Sequence, residues 1–393
     1  MTSMYDGELS VALRAVRLAS LLTKSHLLKS LASQQQSQQQ QPQQQQQHTA
    51  SQHGVSASTK KDESEVTVAD FAAQAVLIHT VHAAYPDDEF IAEESSEMLR
   101  EDPSLCEKVY QLIQTLALLA DAEGMDVDVP LTEEQMAATI DLGRTTGPQG
   151  QRRRWILDPI DGTRTYMRGQ QYAVCLSLVV DGQQQIGVLG CPNLKVEQTE
   201  SKRVEVRETL VDHELMGGYI FSAVRGHGAS YSRMDSPQST TPLRVQNHDT
   251  RTTARPATPK QLSILFTDSG ASPHTTQSMH SQVFRRFGHA RALDIWSMQL
   301  KYIVLSLGAA DAMIRLPPDP NYHASVWDHA GGQLIFQESG GKLTDARARV
   351  FEIGLGRTLE QNWGVIAAKS VDGVSAEEVH GTVLDEITRL IYE

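Results

Sequence analysis

Trp155-Ile156-Leu157-Asp158-Pro159-Ile160-Asp161-Gly162-Thr163 decides how this chain is read. An apolar run ends in two aspartates three residues apart, with a proline between them and a glycine and a threonine behind. Residues 155–157 read as a buried strand. Pro159 disfavours helical geometry at Asp158, so the strand is expected to end in a turn. Such a turn aims both carboxylates at one point and leaves the Ile160 carbonyl free. Hard cations such as magnesium take oxygen ligands of this kind.

Upstream, 68–84 reads as a helix with Asp70 near its start, and 90–92 as a short strand leading into Glu93-Glu94-Ser95-Ser96. Residues 112–119 form an apolar helix pattern. Downstream, 172–180 and 186–189 flank Asp181-Gly182, a hairpin signal. The Ser-, Thr- and Pro-rich stretch 236–260 reads as a variable loop. Strands are expected at 263–267, 312–316 and 365–368. Helices are expected at 298–307, 375–391 and 326–338, the last stopped by Gly340-Gly341. This irregular alternation predicts a mixed, layered α/β architecture with no internal repeat.

The length of 393 residues suits two domains around a large core. We expect residues 1–32 as the N-terminal helix of the first domain, 33–59 as an insertion, 60–195 as the rest of the first domain, and 196–393 as the second. Glutamine dominates 34–47 and the polar run continues to 59, too little apolar surface to offset ordering entropy, so the insertion is expected to be disordered. A net charge of −13 argues against a general nucleic-acid or anionic-membrane binder. A phosphate-bearing substrate then needs local positive charge or metal ions. Cys106, Cys175 and Cys191 are odd in number and irregularly spaced, which points to a reducing, cytoplasmic compartment. No apolar stretch has the length of a membrane span. Arg14 and Arg17 raise a mitochondrial transit segment as an alternative, against which Asp6 and Glu8 count. Leu9, Leu13 and Val16 recur at helical spacing and predict a core-facing first helix.

Glu93, Asp70 and Asp328 all fall at expected element ends, where catalytic groups concentrate. Glu94 neighbours Glu93 and is expected to point elsewhere. If Glu93, Asp158, Asp161 and Asp328 converge, each pair at 4 Å repels by about 4 kcal/mol at an effective dielectric near 20. Two divalent metals resolve the conflict and bring a chemistry, in-line phosphoryl displacement by an activated water. Asp158 is then the bridging ligand, the backbone N–H groups of Gly162 and Thr163 hold a phosphate, and Thr163 with Asp70 orients and deprotonates the water. The bland alternative makes each acid a helix cap, Asp328 above all.

The Asp158-to-Thr163 motif, together with Trp327-Asp328-His329-Ala330-Gly331, resembles the lithium-sensitive, magnesium-dependent phosphatases of the inositol monophosphatase superfamily. The likeness extends to 66–74, Glu93-Glu94-Ser95-Ser96, 168–178, Gly190-Cys191-Pro192-Asn193-Leu194 and Ile314-Arg315-Leu316-Pro317, the last two being similar to its 3′(2′),5′-bisphosphate nucleotidase branch. The resemblance implies a two-domain sugar-phosphatase fold layered α/β/α/β/α. It implies that Glu93, Asp158, Asp161 and Asp328, with the Ile160 carbonyl, bind two or three Mg2+ ions, and that Asp70 and Thr163 are catalytic. Substrate contacts are implied for Gly162, Thr163, His274, Lys301, Arg315 and Asp328. The implied reaction removes the 3′-phosphate of 3′-phosphoadenosine 5′-phosphate to give AMP, with 3′-phosphoadenosine 5′-phosphosulfate as a second substrate. It serves sulfur assimilation and salt tolerance.

Departures fall in the implied nucleotide pocket. Met298 stands where serine is usual, Ala271 where histidine is usual with His274 nearby, and Ser325 where lysine is usual. Glu65, Ala92 and Gly331 replace a proline, a glycine and an alanine. Arg152 to Arg154 read as a solvated run, Arg225 to Gly228 as a hairpin turn, and His329 as a packing residue. The expected protein is a monomer acting on a small nucleotide, with no nucleic-acid or membrane partner. Two alternatives stand beside it: an inositol polyphosphate 1-phosphatase or other small phosphomonoesterase on the same scaffold, and an inactive scaffold whose glutamine tract recruits partners.

Overall fold

The computed structural model describes residues 3–39, 57–59, 65–130, 132–147, 153–198, 204–244, 264–269, 276–289 and 292–392. Seven strands form the first sheet: β1 (Glu89–Ala92), β2 (Arg154–Asp161), β3 (Ala173–Val180), β4 (Gln183–Cys191), β5 (Tyr219–Val224), β6 (Gly228–Arg233) and β7 (Thr241–Leu243). Their spatial order repeats the chain order, from β7 at one edge to β1 at the other. Neighbours are antiparallel except β1 and β2, which run parallel with Ala92 opposite Leu157. That register sets the carboxyl ends of β1 and β2 side by side and delivers Glu93 next to Asp158. Asp181 and Gly182, at φ 51° and 74°, close the expected β3–β4 hairpin in the left-handed region its turn requires. The Arg225 to Gly228 segment turns β5 into β6, as expected.

Pro159 does not end the strand. Pairing with β3 slips between Asp158, opposite Cys175, and Asp161, opposite Ala173. The extra residue makes a bulge, a place where a proline without an N–H is tolerated. Of the arginine run, Arg152 lies outside the described residues, and Arg153 and Arg154 are not solvated either. Arg153 pairs with Glu8 at 2.5 Å and Asp88 at 2.8 Å, and Arg154, nearly buried, pairs with Glu89 at 2.7 Å. The acids come from the first helix and from the β1 edge, remote in sequence, so charge patterning along the run could not reveal them.

Helices α1 (Asp6–Gln39) and α2 (Val68–Ala84) cover one face of this sheet. Leu18, Leu21 and Leu22 are fully buried, so the 9–24 segment is part of the core. Residues 33–39, the start of the expected insertion, continue α1, and 58–59 at its end pair with 65–66. The rest of the glutamine tract, with the disorder expected of it, lies outside the described residues. Helices α3 (Pro103–Ala122) and α4 (Glu133–Asp141) pack on α2. A single turn, α5 (Thr163–Tyr166), follows the aspartate bulge.

A second sheet combines β8 (Phe266–Asp268), β9 (Leu293–Asp294), β10 (Ala312–Arg315), β11 (Lys342–Thr344) and β12 (Val365–Ala368) in the order β9-β8-β10-β12-β11. Helices α7 (Met298–Ser306) and α8 (Ala330–Glu338) lie between the two sheets. On the outer side, α6 (Gln277–Arg286) and α9 (Ala376–Tyr392) join a separate apolar cluster that includes Phe266, Phe284 and Phe287. The layers are α/β/α/β/α, as the resemblance implied. The expected boundary at 195/196 differs from the pairing, because β5, β6 and β7 complete the first sheet. Among the described residues, no helix is long and apolar enough to cross a membrane.

Helix α8 is pressed onto β4. A Cβ on Gly187 would come within 2.5 Å of the Gly331 carbonyl oxygen, which is backbone and cannot rotate away. Gly187→Ala is therefore expected to destabilise the protein by about 1–3 kcal/mol, measured as a lower urea midpoint at unchanged slope. Gly331, where the resemblance implied an alanine, faces Leu189, whose Cδ1 would lie 2.7 Å from an added Cβ. Leu189 fills the space the smaller residue leaves.

Candidate active site

The β2 bulge and a short 3-10 turn, Val326–Asp328, bring three carboxylates together. One oxygen each from Asp158, Asp161 and Asp328 lies within 4.8 Å of the others. The expected continuous helix over 326–338 is broken at His329, where the backbone leaves helical geometry (φ −129°) before α8 begins at Ala330. Asp328 consequently caps no helix and faces the other acids. Glu93 stands beside the trio, close enough for its charge to act on Asp158 and Asp328.

Asp161 is held from the second half of the chain. Its Oδ2 accepts the Ser297 hydroxyl at 2.6 Å and the Gln299 N–H at 2.5 Å, and its Oδ1 accepts the Met298 N–H at 3.2 Å. It thus caps the N-terminus of α7 from outside, where the helix dipole favours an anion. Gly162 follows at φ 96°, and a Cβ there would meet Thr165 Oγ1 at 2.9 Å and Ser297 at 3.3 Å. Only glycine lets the chain pass.

Asp70 and Thr163 also meet. Asp70 Oδ2 accepts the Thr67 N–H at 2.8 Å and the Thr67 hydroxyl at 2.6 Å, a capping box that locks its carboxylate at the start of α2. Its Oδ1 lies 3.3 Å from Thr163 Oγ1, which is 3.2 Å from the Ile160 carbonyl.

Burial, then Glu93, Asp161, Asp328 and Asp70, push the Asp158 carboxyl well above the usual range. Burial also raises Asp161, opposed by its three hydrogen bonds. Asp328 is pushed up to about 7 by burial; Arg315 opposes the shift, and Asp161 and Glu93 add to it. These acids repel one another, and at Asp328 the opposing charges of Arg315 and Lys301 do not cancel the upward shift. Their oxygen-only donor set at ion-sharing distance fits hard divalent cations.

Lys301 lies away from solvent. It is buried in α7, and its Nζ donates to Ser269 Oγ at 2.6 Å. Burial, helped by Arg315, pushes the ammonium down to about 8. Arg315, at the end of β10, reaches to 4.0 Å from Asp328 and donates to the Tyr322 hydroxyl at 3.1 Å. Met298 is buried at the first turn of α7. His274 and Ala271 lie outside the described residues. Ser325 bridges to Thr358 through its backbone. His329 has the expected packing role: buried against Phe351, it shares a 2.8 Å hydrogen bond between Nδ1 and the Tyr302 hydroxyl, and burial holds it well below the usual histidine range.

Two supports escaped the sequence reading. Ser297 and Gln299 fix Asp161, as above. Gln74 donates to the Glu94 carbonyl at 2.8 Å and accepts the Glu94 N–H at 2.9 Å, pinning the backbone beside Glu93. The signal was a lone amide in the apolar run Ala72-Ala73-Gln74-Ala75.

The model of the inositol monophosphatase family matches residues 24–388. The chain belongs to this family. Among its curated relatives, the 3′(2′),5′-bisphosphate nucleotidase 1 of Candida albicans is 34% identical over 99% of this chain and 97% of its own length. The 3′(2′),5′-bisphosphate nucleotidase of Emericella nidulans is 37% identical over 79% of this chain and 86% of its own. That of Schizosaccharomyces pombe is 32% identical, with 93% and 92% covered. A solved structure of the Thermotoga maritima IMPase superposes with TM-score 0.56 at 17% identity, covering 98% of this chain and 99% of its own. That likeness carries the family fold.

Proposed function

We propose that this family member removes the 3′-phosphate of 3′-phosphoadenosine 5′-phosphate in a magnesium-dependent hydrolysis, giving AMP and inorganic phosphate. The observation that carries it is the cage of Asp158, Asp161 and Asp328 oxygens within 4.8 Å, in a chain that matches bisphosphate nucleotidases over nearly its whole length. Glu93, Asp158, Asp161, Asp328 and the Ile160 carbonyl would hold two or three Mg2+ ions. When bound, the ions neutralise the carboxylates, acidify a water and stabilise the attacking and leaving oxygens.

The protein's own groups do the rest. Thr67 holds Asp70 Oδ2 and turns Oδ1 toward Thr163. The Thr163 hydroxyl gives its proton to Asp70 as it takes one from the attacking water. The water oxygen bonds to phosphorus, the bond from phosphorus to the 3′-oxygen breaks, that oxygen takes up a proton from solvent, and Asp70 returns its own to solvent. Gly162 and Thr163 N–H groups, with Asp328, face the reacting end of the substrate. Lys301 and Arg315 supply positive charge from the second sheet side toward the other phosphate, with His274 as a further proposed contact.

Phosphate release from a panel with Mg2+ tests this reading. Turnover is expected to favour 3′-phosphoadenosine 5′-phosphate over inositol 1,4-bisphosphate and inositol monophosphate, and lithium is expected to inhibit it. Turnover of the inositol bisphosphate alone would make the enzyme an inositol polyphosphate 1-phosphatase instead.

A further inference from the structure

Arg357 joins the two halves of the candidate metal cage. Its Nη2 donates to the Ala92 carbonyl at 2.6 Å and its Nη1 to the Gly143 carbonyl at 2.9 Å. Ala92 is the last residue of β1 and immediately precedes Glu93. The guanidinium also lies over the Trp327 ring, 4.6 Å from its centroid, and Trp327 immediately precedes Asp328. The Arg357 carbonyl accepts the Val326 N–H at 2.9 Å, so backbone and side chain both grip the Asp328 turn. One residue therefore touches the neighbours of two carboxylates that are 235 positions apart (328 − 93). Its charge also acts on Glu93.

We propose that Arg357 is a positioning residue for divalent metal binding: it fixes the backbone turns that carry Glu93 and Asp328 relative to each other. The proposal rests on the reading of Glu93 and Asp328 as metal ligands. Lysine could not replace it, because a single ammonium cannot fork to two carbonyls while lying flat on an indole. Groups that hold a metal's ligands in place matter to affinity almost as the ligands do.

The test is direct Mn2+ binding to the full chain without substrate, read from the electron paramagnetic resonance of free Mn2+. Arg357→Met keeps the stem and loses both donors; Arg357→Gln keeps one short amide. Both are expected to bind Mn2+ about ten- to a hundredfold more weakly, with turnover recovering as Mn2+ is raised to saturation. A variant that melts earlier but binds Mn2+ like the wild type shows a merely structural role and overturns the proposal. So does a variant whose only change is a higher KM for substrate, which would place Arg357 on the substrate. If Arg357→Met does not fold, Arg357→Gln alone decides by the same criteria. Glu93→Gln is the control for the underlying reading: wild-type Mn2+ affinity in that variant removes Glu93 as a ligand, and the proposal falls with it. Weak binding in Glu93→Gln beside wild-type binding in the Arg357 variants overturns the proposal alone.

Discussion

Asp158→Asn is expected to lower phosphate release by about a thousandfold or more, since it removes the carboxylate at the centre of the cage and with it charge stabilisation of the transition state. Its effect on stability should have the opposite sign. Asp158 is buried against Glu93, Asp161, Asp328 and Asp70, all acids, and each pushes its pKa up. A carboxyl whose pKa is higher folded than unfolded holds its proton more tightly in the native state. The wild-type protein without metal should therefore lose stability as pH rises from the ordinary carboxylate range, about 4, through the value near 7 set at Asp328. The neutral amide relieves part of that repulsion, so metal-free Asp158→Asn should melt at or above the wild type at pH 8. Mg2+ should reverse the order. An ion at a hundred times its Kd stabilises the native state by about 2.7 kcal/mol, and the variant lacks the central one of the carboxylates that would receive it. Melting curves at pH 5 and 8, with chelator and with Mg2+, read all of this. Near-normal turnover in the variant, or a metal-free variant that melts well below the wild type at pH 8, would remove the cage as the seat of the chemistry.

Much of the candidate site was legible because it is local. Asp158, Ile160, Asp161, Gly162 and Thr163 lie within six consecutive residues, and their spacing alone puts oxygen donors at one strand end. What the sequence withheld depends on partners far along the chain. The proline rule read Pro159 as a strand terminator, yet pairing with β3 carries the strand past it through a bulge. Residues 219–243 gave no local sign that they would extend the first sheet instead of opening a second domain, because strand order is settled by non-local pairing. Lys301 reads as a surface charge in isolation; its burial follows from α7 lying between two sheets, with Ser269 Oγ placed to accept its hydrogen bond. The break at His329 was equally hidden. Residues 326–338 suit a helix throughout, and only the burial of the His329 ring between Tyr302 and Phe351 shows what pulls the chain aside. That departure turns Asp328 from a plausible cap into a member of the cage.

Thr163→Val is expected to cut kcat by about a hundredfold or more and leave divalent-ion affinity within error. The substitution keeps the shape of the side chain and removes the hydroxyl that lies between Asp70 Oδ1 and the Ile160 carbonyl. None of the trio Asp158, Asp161 and Asp328 loses a hydrogen bond by it, so the cage should fill as before. Thr163→Ser should restore most of the activity, because it returns the hydroxyl at the same Cβ. Asp70→Asn extends the test. Its amide oxygen can still accept from Thr67 and preserve the cap of α2, but its NH2 group then faces Thr163 and donates where the carboxylate accepted. The Thr163 proton is left with Ile160 alone, and the relay has no base. Asp70→Asn should accordingly lose activity at least as severely as Thr163→Val, and the double variant should be little worse than either single one, since both break one path. Steady-state kinetics beside Mn2+ titration separates the outcomes. If the two losses instead multiply in the double variant, the residues act independently, and the proton does not travel from water through Thr163 to Asp70.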